Sequence, residues 1–473
     1  MFDVIVIGGG VIGGTVLREL TKYRLNVCLV EKEDDVCMGQ SKANSGIVHA
    51  GYDAQEGTLK AKFNVLGNRM MESYCRELGV KYKNNGSLVV AFSQEDFKTV
   101  AALKERGERN GVGGLRLLTK EEIRALEPNI SSAAEGALLA PTGGIVCPYT
   151  LTIAAIGNAM DNGAKLFTNF EVTKITKENG EFTVESKGGQ SIRGKVLINC
   201  AGLASGKIAA LAGDRGVRVF PRKGEYVLLD RESGGFVSHT VFFTPTVKGK
   251  GVLISPTVDG NLIVGPTAAE QDGTDTSAQG IAFVNSKSKE MCPRLPLASV
   301  ITSFAGVRAY SDRHDFIIEE SAAVAGLIHC AGIESPGLTS APAIAKYVAE
   351  ELVSKHFNMD KNASFNPYRP SYAFQELSTK EKNEIIARDG AFGKIVCRCE
   401  QITEGEIVQA IKVNPPARNL DAVKRRTRTG MGRCQGGFCQ PQVAQILARE
   451  LNLPLEEVTK SGGSSNLVTG VIK

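Results

Sequence analysis

Residues 3 to 32 constrain this chain more than any other stretch. Val4, Ile5, Val6 and Ile7 form a short apolar run of the kind buried on both faces of a parallel sheet. Gly8-Gly9-Gly10-Val11-Ile12-Gly13-Gly14 follows, then a predicted helix from Thr15 to Tyr23, then a second apolar run, Val27 to Val30, ending in Glu31. The order is strand, Gly-x-Gly-x-x-Gly, helix, strand, acid, with Glu31 eighteen positions past Gly13. Gly8 suits a tight turn, Gly10 lets backbone approach a pyrophosphate, and Gly13 lets helix pack closely on strand. The helix N-terminus offers unpaired N–H groups to phosphates, and Glu31 can accept hydrogen bonds from a ribose. Flanking strands and the acid all agree on a dinucleotide site.

The rest of the chain carries this strand–turn–helix pattern away and brings it back. A glycine- and serine-containing loop, Gly39 to Gly51, precedes an amphipathic helix expected over Thr58 to Leu78, with Leu59, Phe63, Leu66, Met70 and Tyr74 at helical spacing. Gly86 to Phe92 is a predicted strand, Gln94 to Arg109 a charged helix and Pro148 to Met160 another helix. Alternating strands over 165–199 run into Cys200-Ala201-Gly202, a turn of small residues that allows close approach to a cofactor. Residues 218 to 308 are strand-rich and predict an antiparallel sheet. Leu327 to Cys330 gives a further strand, and Ser340 to Ser354 a helix. The expected fold is therefore α/β and α+β. A discontinuous Rossmann-like domain (1–80, 145–215, 310–356) holds an inserted antiparallel-sheet substrate domain (81–144, 216–309). A linker (357–390), a small helical domain (391–455) and a tail (456–473) follow.

Composition excludes several classes. No apolar run reaches the ~18 residues needed to span a bilayer. Asp3 and the glycines interrupt the N-terminal apolar run, unlike a secretory signal, so the cytoplasm is the expected location. A net charge of +5 over 473 residues argues against nucleic acid but is compatible with a small anionic substrate. Of eleven cysteines, seven (Cys28, Cys37, Cys75, Cys147, Cys200, Cys292, Cys330) lie mostly in apolar runs and are expected to be small buried hydrophobes. The other four differ. Cys397-Arg398-Cys399 is followed after 34 residues by Cys434-Gln435-Gly436-Gly437-Phe438-Cys439. Two close thiolate pairs can supply four sulfur ligands to one metal centre, with glycines 430, 432, 436 and 437 freeing the second loop to fold around it. Zinc is the competitor, although C-x-C is tighter than its usual spacing.

The motifs Asn44-Ser45-Gly46-Ile47-Val48-His49-Ala50-Gly51, Gly224-Glu225-Tyr226, Phe304-Ala305-Gly306-Val307-Arg308 and Gly332-Ile333-Glu334-Ser335-Pro336-Gly337-Leu338-Thr339 add to the glycine motif. With them the chain resembles the D-amino-acid-oxidase-like family of FAD enzymes, in its glycerol-3-phosphate and L-2-hydroxyglutarate dehydrogenase branch, over about residues 1 to 355. The resemblance implies FAD held by Gly8, Gly10, Ile12, Gly13 and Gly202. It implies Glu31 on the adenosine ribose, Ser41 near the pyrophosphate, Ser45 near cofactor and substrate, and Val172 on the adenine. Gly337, Leu338 and Thr339 would meet the flavin ring at a helix start, where a helix N-terminus stabilises negative charge.

His49 lies in a glycine-flanked loop rather than on an apolar face. Oxidising a secondary alcohol requires removal of a hydroxyl proton, and imidazole, with an unperturbed pKa near ~6.5, suits that transfer. The resemblance puts the matching histidine beside the flavin and Arg308, read as the end of an apolar strand, against the substrate's anionic group. Ser335, Ser45, Lys248 and Lys250 are further substrate-contact candidates.

The tail resembles the bacterioferritin-associated-ferredoxin-like domain, which implies a 2Fe–2S cluster on Cys397, Cys399, Cys434 and Cys439. In this branch that tail accompanies the anaerobic-type glycerol-3-phosphate dehydrogenase, which favours glycerol 3-phosphate over L-2-hydroxyglutarate. It also implies a second flavoprotein or iron–sulfur subunit as electron acceptor, with peripheral attachment at the inner membrane face through that partner. A non-catalytic electron-transfer flavoprotein subunit is the competing class; His49 and Arg308 together argue against it.

Overall fold

The computed structural model describes residues 1–245, 251–370 and 374–470. Strand β1 (Phe2–Ile7) lies in the middle of an eight-stranded sheet, parallel to β2 (Val27–Val30) on one side and to Ser191–Asn199 on the other. Val4, Ile5 and Val6 have no exposed surface, as expected of a run with no polar face. Lys165–Phe167 extends the sheet beyond β2, in parallel. Leu327–Ala331 pairs parallel with the end of Ser191–Asn199, so the returning strand joins the sheet that the first thirty residues began. Helix α1 spans Val11–Leu20, and all ten of its residues are buried. It starts four residues earlier than predicted, because the second half of the glycine motif is its first turn.

The second sheet also has eight strands, drawn from residues 87–140 and 219–311. Val219–Leu229 and Val300–Ser311 form its long antiparallel pair, with Gly224 opposite Gly306 and Arg222 opposite Arg308. Arg308 therefore lies inside a strand rather than at its end. The strand continues because its partner offers matching ladder groups as far as Val219. The sheet is antiparallel apart from Thr240–Phe243 against Ser87–Ala91, which run parallel. These two strands come from separate excursions of the chain, so no tight turn forces them to oppose.

Helix α2 (Leu59–Glu77) packs against the helix Gly337–Tyr347, which begins three residues before the predicted Ser340 and passes into a wider turn at Val348–Leu352. The segment expected as a linker is partly structured. Asn362 N–H donates to the Lys22 carbonyl and Arg369 N–H to that of Glu77. Thr379–Arg388 is a helix whose Ser378–Glu381 capping box was present in the sequence. The C-terminal unit packs helices Glu404–Lys412, Leu420–Thr427 and Gln440–Leu451 around Ile407, Val423 and Leu447. No helix among the described residues is long and apolar enough to cross a membrane.

Candidate functional site

One cavity of about 480 Å³ runs between the two large sheets, within the size range of small-molecule and cofactor sites. The glycine turn forms one wall. Gly8 has φ +110°, and a Cβ there would stand 2.5 Å from the Cys200 carbonyl oxygen; one on Gly13 would stand 2.0 Å from that of Gly8. Neither position admits a side chain, so turn, helix and the end of Ser191–Asn199 meet at backbone distance. Gly10 differs: a Cβ there would meet only the Ser41 hydroxyl, at 3.2 Å. Ser41 Oγ accepts the Val11 N–H at 2.9 Å, supplying the cap that glycine at the N-cap lacks.

Glu31 stands at the end of β2. Its Oε2 accepts the Gly9 N–H at 2.6 Å and its Oε1 the Glu33 N–H at 3.0 Å. Burial pushes the carboxyl above its ordinary range, and those two N–H groups oppose the shift. Ile12, Ser45, Val172, Gly202, Gly337 and Leu338 line the same cavity. Gly13 and Thr339 stand behind the wall: Gly13 sets the packing just described, and Thr339 Oγ1 accepts the His49 N–H at 2.9 Å. The cavity, its glycine wall and the buried acid at the end of β2 fit a dinucleotide.

His49 and Arg308 line this cavity together. Asn64 and Asn68, on α2, donate to the His49 carbonyl at 2.6 and 3.1 Å, and Nε2 of its ring lies 3.1 Å from Ser335 Oγ. The ring also lies near that of Phe242, with centroids 6.0 Å apart. Arg308 Nη2 donates to the Thr267 carbonyl at 3.0 Å, whereas its buried Nε has no hydrogen-bond partner among the described residues. A guanidinium left partly unsatisfied at a cavity wall suits an anion. Tyr226, which shares a hydrogen bond with Ser45, completes this part of the wall. Lys248 and Lys250 lie outside the described residues.

Nothing in the local pattern marks Phe242, an ordinary strand position. Glu334, inside the Gly332–Thr339 motif, is a further residue of the wall. Its carboxylate lines the cavity and pairs with Lys60 at 2.9 Å and Arg222 at 3.7 Å.

The four clustered cysteines meet two by two in the C-terminal unit. Cys399 Sγ and Cys434 Sγ are 3.6 Å apart, and Cys397 and Cys439 form a second thiol pair. The Cys439 thiol and, against the opposing effect of burial, the N–H groups of Gly430 and Glu400 hold Cys397 down at about 6, towards the thiolate that ligates metal. Among the described residues no three His, Cys, Asp or Glu side chains converge on one point. Two sulfur pairs with N–H donors suit a two-iron cluster better than a single zinc ion. The other seven cysteines are all buried.

Comparisons with known proteins agree with this division. Residues 3–351 match the FAD dependent oxidoreductase (DAO) family, and residues 395–449 match the BFD-like [2Fe-2S] binding domain. The chain is 48% identical to a glycerol 3-phosphate dehydrogenase of Caloramator mitchellensis, over 100% of this chain and 99% of that one. The structure of L-alpha-glycerophosphate oxidase from Mycoplasma pneumoniae with FAD bound superposes with a TM-score of 0.75 at 31% identity, covering 78% of this chain and 98% of the other. Human mitochondrial L-2-hydroxyglutarate dehydrogenase is 29% identical over 74% of this chain and 88% of its own length.

Proposed function

We infer the activity from the premise that this chain belongs to the DAO family of FAD-dependent oxidoreductases and carries a BFD-like [2Fe-2S] binding domain behind it. It is a FAD-dependent dehydrogenase that oxidises sn-glycerol 3-phosphate to dihydroxyacetone phosphate. The observation that carries this reading is the 48% identity to a glycerol 3-phosphate dehydrogenase along the whole chain, iron–sulfur domain included. L-2-hydroxyglutarate, the alternative, is supported only by relatives that match about three quarters of the chain.

Glu31 holds the adenosine ribose, the N-terminus of α1 with Ser41 the pyrophosphate, Val172 the adenine, and Gly337–Leu338 the ring. Bound FAD supplies the two-electron acceptor for the hydride at the substrate's C2. His49 takes the C2 hydroxyl proton at Nε2, the ring atom that Ser335 Oγ approaches to 3.1 Å. The backbone of His49 is tied at both N–H and carbonyl, so its ring has a fixed origin from which to reach the substrate. Arg308 binds the phosphate through its guanidinium, whose Nε has no partner among the described residues. The Thr267 carbonyl accepts from Nη2 and thereby orients the group.

Cys397, Cys399, Cys434 and Cys439 hold the cluster, which supplies one-electron transfer out of the enzyme. The acceptor is a separate flavoprotein or iron–sulfur subunit. Support comes from Cys399, which is exposed, and from Phe438, an apolar side chain 85% exposed between two of the ligand cysteines. The protein works in the cytoplasm, and attachment to a membrane runs through that partner.

The deciding experiment is anaerobic bleaching of the flavin by glycerol 3-phosphate and by L-2-hydroxyglutarate at matched concentrations. Bleaching by the first alone is expected; bleaching by the second alone would replace the substrate. Artificial dyes should support turnover with little peroxide, and stoichiometric peroxide from the isolated chain would mark an oxidase instead.

A further inference from the structure

We propose that the iron–sulfur domain also locks the dinucleotide site, through a buried arginine clamp on Asp35. The inference rests on FAD filling the large cavity. Asp35 lies four residues past Glu31, and its side chain is 5% exposed. Arg426 grips its carboxylate with both ends of the guanidinium, Nη2 to Oδ1 at 2.8 Å and Nη1 to Oδ2 at 2.9 Å. Arg425 Nη2 adds a third bond to Oδ2 at 2.5 Å. Both arginines sit on the helix Leu420–Thr427 of the iron–sulfur domain, and Asn419, which caps that helix, donates to Asp34. Two cations on one carboxylate, nearly free of water, form a strong and geometrically specific contact.

The clamp is placed where the cofactor's own binding turn is supported. From Lys32 to Asn44 the chain has no helix or strand, so nothing in its own backbone ladder fixes it. Yet this segment touches the glycine turn repeatedly. Val36 is fully buried, and a Cβ built on Gly9 would lie 3.3 Å from its methyl. The Cys37 N–H donates to the Gly9 carbonyl at 2.8 Å, and Ser41 caps Val11. An arginine pair from the appended domain thus holds a loop that in turn holds the phosphate-binding turn. Asp35, Arg425 and Arg426 are positioning residues for the cofactor. Binding of FAD and docking of the domain are coupled, and coupling of this kind is reciprocal.

The test uses full-length holoprotein and follows FAD release as the recovery of free-flavin fluorescence. Asp35→Asn and Arg426→Lys should each speed release by roughly ten-fold, within the usual range for coupled sites. Iron and sulfide content should stay at the wild-type level. Glu232→Gln, which loosens the exposed Arg433–Glu232 pair between the same domain and the turn Arg231–Ser233, should leave release unchanged. In the reverse direction, amides of residues 420–427 should exchange faster in FAD-free than in FAD-loaded protein. If Asp35→Asn does not fold, Arg426→Lys decides, since it keeps the charge and loses the fork. Wild-type release rates in the folded variants, or equal acceleration by Glu232→Gln, would overturn the clamp alone. Well-folded wild-type protein that takes up no FAD would overturn the reading beneath it as well.

Discussion

Replacing Gly67 by alanine sets two effects of opposite sign against each other. Gly67 is in the middle of α2, where alanine is favoured over glycine by ~0.5–1 kcal/mol. Its Cβ, however, would stand 2.0 Å from the Thr339 carbonyl oxygen and 2.9 Å from Ser340 Cα. Both obstacles are backbone, so no side chain can turn aside. To reach 3.4 Å, where ordinary contact begins, α2 and the Gly337–Tyr347 helix must separate by about 1.4 Å. Overpacking of this sort costs ~1–3 kcal/mol, which outweighs the gain in propensity. Function should suffer more than stability. Gly337 and Leu338 line the cavity and Thr339 holds the His49 N–H, so the displacement moves ring wall and base together. A misplacement near 1 Å is worth ~10²-fold in rate. Thermal unfolding and kcat at saturating glycerol 3-phosphate should therefore both fall, kcat by about two orders of magnitude. A raised melting temperature with unchanged kcat would refute the argument, because it would mean the close approach of the two helices positions nothing.

Other perturbations separate the remaining roles. His49→Ala should lower kcat by ~10²–10⁴ with little change in KM, read from steady-state kinetics with an artificial acceptor. Arg308→Met should instead raise KM by roughly ten- to a hundred-fold, as expected for a lost hydrogen bond to a charged group. Cys399→Ser should reduce iron and acid-labile sulfide well below the ~2 of each per chain of an intact cluster, while anaerobic bleaching by substrate persists. Burial alone would raise the Asp35 carboxyl, but Arg426 and Arg425 win and hold it at about 2. A depressed carboxyl stabilises the fold above its unfolded value near 3.8 and loses that contribution as pH falls through about 2. The contribution is on the order of 2 kcal/mol. Acid unfolding profiles of wild type and Asp35→Asn should converge over that window.

The dinucleotide-binding half was legible because its signals are local. Gly8, Gly13, the two apolar strands and Glu31 lie within one stretch of thirty residues, and each has a steric or hydrogen-bonding requirement that few other residues satisfy. The two cysteine pairs were legible for the same reason: ligand chemistry restricts the residue type, and spacing restricts the geometry. The helix Thr379–Arg388 was equally local, and the Ser378–Glu381 box announced it; Pro367, Pro370 and the polar composition obscured the signal.

Sequence by itself thus determined the strand–turn–helix, its acid, the cluster of four cysteines, and the candidacy of His49 and Arg308. Only the tertiary structure decided which of these meet. Arg308 proved to lie within a long strand, because how far a ladder extends depends on a partner strand more than seventy residues away. Thr339 turned out to support His49 from behind the wall, a role fixed by the packing of two helices distant in sequence. Nothing in the local pattern sets Asp35 apart from the neighbouring Glu33 and Asp34. Its burial under Arg425 and Arg426 depends on where a domain 390 residues later docks, and a chain's local pattern carries no term for that distance.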